Sequence, residues 1–216
     1  MSPRALGPLL VALLAARPLA AQLPDRLGVD VGLARPRFTA TSPTGTEQLS
    51  GLFAHARVRV RLQPVSVDVS YAQGRVSADA GSAAARTFVD GSVFAVYRPP
   101  TVSWLTLRAG PHLRAYSAPG GTERWVLWEL HAHGEMPIVA DELTTYAEGW
   151  IAPASSVNLD AGAAGAKGAE VGVMLHLPRS PLWARLSFVA DQAKLKGGAR
   201  TEALQTVVAS VGFGGR

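Results

Sequence analysis

The sequence predicts an all-β chain folded as an antiparallel, up-and-down transmembrane β-barrel of ten strands, with eight strands as the nearest alternative. Three observations predict it. Apolar and polar residues alternate with period two along most of the chain, which is the signature of strands with two different faces. The connectors between the alternating stretches switch between long and short. Beyond the first 21 residues, no run of about 18 consecutive apolar residues exists that would form a membrane helix.

The first 21 residues stand apart. Arg4 gives a positive start, Leu6 to Ala16 is apolar, and Leu19-Ala20-Ala21 precedes the polar Gln22. This is the layout of a secretory signal peptide, and the apolar run is too short to span a bilayer. Residues 22–216 then form a single barrel domain. That domain has no cysteine, so neither a disulfide framework nor a lipid-bearing cysteine is expected. The net charge of +5 is modest and the basic residues are not gathered in a tail, which predicts no nucleic-acid partner.

The ten alternating stretches begin with Leu27, Val29, Val31 and Leu33. The second opposes Ala54, Ala56, Val58, Val60 and Leu62 to His55, Arg57, Arg59 and Arg61. The third opposes Val65, Val67, Val69 and Tyr71 to Ser66, Asp68 and Ser70. In the fourth, residues 86–98, the apolar face is Val89, Val93, Ala95 and Tyr97. The fifth sets Leu105, Leu107 and Ala109 against Trp104, Thr106 and Arg108. The sixth, WELHAHGEMP, places Glu129, His131, His133 and Glu135 on one face, with Trp128, Leu130 and Ala132 on the other.

The seventh carries Leu143, Ala147 and Ile151 opposite Thr144, Tyr146, Glu148 and Trp150. Val171, Val173, Leu175 and Leu177 mark the eighth, and Leu182, Ala184, Leu186 and Phe188 the ninth. The tenth runs Val207, Ala209, Val211 and Phe213. Without the fourth or seventh stretch the count would fall toward eight. Connectors 40–51, 74–86, 117–122, 153–168 and 192–201 are mostly long and rich in Gly, Ser, Ala and Pro. The joints Gln63-Pro64, 98–101, 137–141 and 178–181 are tight. Long loops on one side and short turns on the other match a membrane barrel, with both mature termini in the periplasm. The segment DAGAAGAKGAE, 160–170, reads as an external glycine spacer.

Alternation alone also suits a soluble, lipocalin-like periplasmic calyx with its apolar face inward. The apolar faces here are nearly free of charge, as lipid contact demands. The opposite faces mix charge with the rings of Trp104, Tyr146, Trp150 and Trp183, which suits a packed lumen, and the mean hydropathy of +0.15 is high for a secreted soluble β-protein. Five Trp and four Tyr would make sparse aromatic girdles, so the calyx stays open as an alternative.

The signal peptide, the hairpin rhythm and the closing strand TVVASVGFGGR together resemble those of small bacterial outer-membrane β-barrel proteins over roughly residues 25–213. The resemblance implies an outer-membrane location, contact with outer-membrane lipid, and handling by the barrel-insertion machinery. That machinery recognises a final strand ending in an aromatic residue. Phe213 holds that place, displaced from the end by Gly214, Gly215 and Arg216. Oligomeric state cannot be read from the sequence.

For chemistry, the expected feature is a lumen-lining charge network of His55, Arg57, Arg59, Arg61, Arg108, Glu129, His131, His133, Glu135 and Glu148. Folding the fifth and sixth strands together places Arg108 opposite His131, and folding the sixth and seventh places Glu148 on its other side. Paired charges then explain these residues without any cofactor or metal. A zinc site on His131, His133 and Glu135 is the minority alternative, because those ligand types share one face. The basic ladder His55, Arg57, Arg59 and Arg61 is either an anion-attracting lining or neutralised by Glu129, Glu135, Glu142, Glu148 and Glu170. No serine-hydrolase, HExxH or phosphate-loop motif is present, so no catalytic residues are assigned. His112, Asp90, Asp160 and Asp191 remain candidates for a membrane-embedded hydrolase. The function expected is structural or interactional, or a narrow passage for small solutes.

Overall fold

The computed structural model describes residues 26–62, 64–78, 85–140 and 142–214. The expected signal peptide and the joint residues Gln63 and Asp141 lie outside them. Ten strands follow in chain order. They are β1 (Leu27–Ser42), β2 (Gly45–Arg61), β3 (Val65–Ala78), β4 (Arg86–Tyr97), β5 (Leu105–Ala118), β6 (Gly121–Val139), β7 (Leu143–Val157), β8 (Ala163–His176), β9 (Leu182–Leu195) and β10 (Thr201–Phe213). Each strand pairs antiparallel with its chain neighbour, and β1 pairs with β10 from Val29 opposite Phe213 to Thr41 opposite Thr201. The sheet closes into a barrel, so no strand edge is left unpaired.

The two faces of each strand separate cleanly. Val58, Val69, Val93, Leu130, Ile151, Val171, Leu186 and Val211 point outward and are exposed. Asp30, Asp68, Arg108, Glu129, Glu148, Arg185 and Asp191 point inward and are buried. A soluble protein arranges these residue types the other way round. Among the described strand residues, outward-facing cations occur only in the half of the barrel nearer the β1–β2 and β5–β6 hairpins, at Arg35, Arg37, Arg75, Arg124, Lys167 and Lys194.

The hairpins on that side are tighter than the composition suggests. Pro43 and Thr44 alone join β1 to β2, and Pro119 and Gly120 alone join β5 to β6. The expected spacer 160–170 is strand from Ala163 onward. Packing explains the glycines there. Gly168 lies opposite Trp150 of β7, and a Cβ at that position would come within 2.2 Å of the Trp150 ring. Gly172 seats Tyr146 and Gly212 seats Trp183 in the same way. Each small residue marks a place where a neighbouring ring lies over the backbone.

Trp104 corrects a second expectation. It precedes β5, is 59% exposed, and packs against Gly134 on the outer side of β6, so it is not an interior ring.

The interior is layered. Next to the loop-side hairpins lies an apolar plug of Phe38, Leu49, Phe53, Phe88, Tyr116, Trp125, Leu127 and Leu204. Phe53 and Phe88 stack with centroids 4.4 Å apart, and Tyr116 lies 5.1 Å from Phe88. Below the plug comes a layer of charged groups, and below that a vestibule at the turn end. The filling is therefore apolar in one half and polar in the other.

Candidate functional site

The charged layer is built by parity. On β5 the inward positions are Arg108, His112 and Arg114, and on β6 they are Glu129, His131, His133 and Glu135. Arg108 pairs with His131 across the β5–β6 ladder, the register expected from the sequence. Glu148 lies opposite His133, with Trp150 opposite His131, so the expected β6–β7 register is off by two residues. The β6–β7 hairpin turns later than the joint 137–141 implies, with Val139 opposite Leu143 and a register shift between Pro137 and Val139. The Glu148 carboxylate nonetheless reaches both histidines.

These groups form one continuous chain. His112 Nε2 lies 2.8 Å from Asp90 Oδ2, and His112 Nδ1 lies 2.8 Å from Glu129 Oε1. Glu129 Oε2 is 2.9 Å from His131 Nε2, and His131 Nδ1 is 2.5 Å from Glu148 Oε1. Glu148 Oε2 meets His133 Nδ1 at 3.0 Å, and His133 Nε2 meets Glu135 Oε1 at 3.0 Å. Arg98 ends the chain, donating to Glu135 over 3.4 Å.

A carboxylate oxygen only accepts, so each histidine between two carboxylates must donate from both nitrogens unless a carboxyl carries the proton. The chain thus alternates acid and imidazole with a proton on every link. Arg108 donates to Glu148 and also lies 3.8 Å from Asp68, which Arg59 grips with two bonds of 2.6 and 2.8 Å. Arg114 grips Asp191 at 2.9 and 3.2 Å.

The ladder on β2 faces the interior as expected, although its neutralisation differs. Arg59 pairs with Asp68, not with a glutamate. Glu129 and Glu148 are taken by His112, His131, His133 and Arg108. Glu142 is exposed in the turn between β6 and β7 and does not belong to the interior. His55 Nδ1 lies 3.6 Å from Asp30.

Among the described residues, no group of three or more His, Asp or Glu is arranged to hold a metal ion. Both ring nitrogens of His131 and of His133 face carboxylate oxygens. Of the hydrolase candidates, Asp90 and His112 come together, Asp191 pairs with Arg114, and Asp160 lies apart in the β7–β8 hairpin. Ser92 stands opposite His112, but its hydroxyl bonds Ser70 at 2.7 Å. No hydroxyl is aligned on the imidazole, and the pair lies beneath the plug.

Sequence reasoning missed Asp30, Asp68 and Arg185 as network members, and missed the plug altogether. The parity that placed His55 inside also places Phe53 and Leu49 there, and the parity of Glu129 places Leu127 and Trp125 there.

At the loop-side rim, Arg200 lies 2.8 Å from Glu202 and 3.1 Å from Glu123, whose carboxylate accepts from Trp125 Nε1 at 2.8 Å.

No family model and no curated protein matches the chain. Solved structures do. The outer membrane protease OmpT from Escherichia coli superposes with a TM-score of 0.53 at 9% identity, over 88% of this chain and 97% of that one. The β domain of the Bordetella autotransporter BrkA gives 0.51 at 11% identity, over 88% and 100%. The translocator domain of the autotransporter NalP from Neisseria meningitidis gives 0.50 at 12% identity, over 94% and 93%. At these identities the likeness is one of fold: the chain is similar over nearly its whole length to bacterial outer-membrane β-barrels.

Proposed function

We propose that this chain is an outer-membrane barrel with a structural or interactional role, sealed against passage by its apolar plug. One observation carries the membrane reading: the inversion of faces, with Leu, Val and Ile exposed outside and ion pairs buried inside. A calyx would need the opposite. Charge on the outer face would cost about 2–4 kcal/mol at the bilayer midplane, and the described outer face keeps its cations to the loop half. Those cations suit a leaflet rich in phosphate, which supports a loop side turned outward and both termini in the periplasm.

Between passage and structure, the plug favours structure. The stacked Phe53 and Phe88 with Tyr116, Trp125 and Leu127 fill the loop half, so the vestibule opens only toward the turns. The hydrolase reading draws on the Asp90–His112 pair, which the same plug separates from the loop side.

The test is twofold. The mature protein should fractionate with the outer membrane and need detergent for release, and refolded protein in planar bilayers should show no unitary conductance. Recovery in the soluble fraction would overturn the membrane reading, and steady single-channel conductance would overturn the sealed lumen.

A further inference from the structure

The turn end of the barrel holds a vestibule of 320 Å³, at the small end of ligand pockets, that the sealed-barrel reading does not use. Its charged lining is unequal. Arg59 is held by Asp68, Arg98 by Glu135 at 3.4 Å, and Arg185 lies 3.7 Å from Asp30 and 3.9 Å from Glu170. Arg57 also lines the vestibule, yet no described carboxylate lies within ion-pair distance of it. The acids that act on it at longer range, Asp30, Glu170, Asp68 and Glu148, all have closer cations.

Beside it is the complementary vacancy. Asp30 is the register partner of Arg57 on β1 and is only 5% exposed. Its Oδ1 accepts no hydrogen bond among the described residues, since His55 and Arg185 stand at 3.6 and 3.7 Å. A buried carboxylate oxygen without a donor is costly. Arg57 and Asp30 thus offer, side by side in one cavity, a guanidinium with no carboxylate at ion-pair distance and a carboxylate oxygen with no hydrogen-bond donor. Met174 and Trp183 give the same cavity apolar wall.

We propose that this vestibule binds a small zwitterion, an α-amino acid with an apolar side chain. Arg57 takes the carboxylate, Asp30 takes the ammonium, and the side chain lies toward Met174 and Trp183. A free carboxylate alone would leave Asp30 without a donor, and a free amine alone would leave Arg57 without an acceptor. The site sits on the side facing the periplasm and asks nothing of the plug, so it stands or falls separately from conductance.

The experiment uses refolded full-length mature barrel in detergent, with folding checked by heat-modifiable gel mobility and binding by calorimetry. The probes are L-phenylalanine, 3-phenylpropionate (which lacks the ammonium) and phenethylamine (which lacks the carboxylate). Phenylalanine should bind saturably, and each truncated probe about tenfold or more weaker. Arg57→Gln should weaken phenylalanine and 3-phenylpropionate about tenfold and leave phenethylamine unchanged. Asp30→Asn should weaken phenylalanine and phenethylamine and spare 3-phenylpropionate. Absence of saturable phenylalanine binding up to about 10 mM would overturn the proposal. So would equal affinity for the three probes, or variants that weaken all three alike.

Discussion

Glu148 is the hub on which the interior charge balance turns, and its removal gives the sharpest energetic prediction. Its carboxylate is 5% exposed and accepts from three directions: Arg108, His131 at 2.5 Å and His133 at 3.0 Å. In Glu148→Gln the shape is kept and the charge lost. Arg108 is then left with Asp68 at 3.8 Å, an acid already gripped by Arg59. Breaking a buried pair from one side costs about 3–5 kcal/mol, because the remaining charge stays desolvated.

The internal control is Glu135, whose side chain is 38% exposed, whose ion-pair partner Arg98 is 51% exposed, and whose bond from His133 a glutamine oxygen can still accept. Glu135→Gln should cost no more than about 1 kcal/mol. Urea unfolding of the refolded barrel from lipid vesicles, followed by tryptophan fluorescence, measures both. Equal losses for the two variants, or a Glu148→Gln loss below about 1 kcal/mol, would refute the assignment of Glu148 to a desolvated network.

Two further outcomes follow from the same structure. Phe88→Ala removes a ring packed between Phe53 and Tyr116 and should lower unfolding stability by about 3–5 kcal/mol in the same assay. Gly168→Val sets a side chain against the Trp150 ring, where a Cβ alone would approach to 2.2 Å, and should cost about 1–3 kcal/mol with a shift in tryptophan emission.

The parts of the fold legible in the sequence are those set by parity. Once the period-two alternation in β2 puts Val58 and Val60 on one face, Arg57, Arg59 and His55 must share the other. The same rule gave the Arg108–His131 pairing, because the β5–β6 hairpin is regular from Gly121 to Gly134. It missed the partner of Glu148 by two residues because the β6–β7 hairpin turns between Val139 and Leu143, later than expected, and shifts register between Pro137 and Val139.

Composition misled where small residues cluster. In 160–170, alanine and glycine suggest a loose tether, whereas Gly168 is small because a ring from another strand occupies its side-chain space. The plug escaped notice for a different reason. Near the loop side charge no longer marks the inner face: Phe53 is flanked by Leu52 and Ala54, and Trp125 by an outward Arg124, so only counting parity upward from the charged layer reveals them.

The Asp90–His112 contact joins residues 22 positions apart on adjacent strands. Both were visible as candidates, but their meeting depends on register.

The account rests on the claim that the apolar side of the strands meets lipid and the charged side meets the lumen. The chain has no cysteine, so single cysteines can be placed along β2 from Ala54 to Arg61 without background. Each is labelled with an environment-sensitive fluorophore, and quenching by brominated lipid is measured in vesicles. Positions 54, 56, 58 and 60 should be quenched and positions 55, 57, 59 and 61 should not. The opposite alternation, or quenching at no position, would contradict the account.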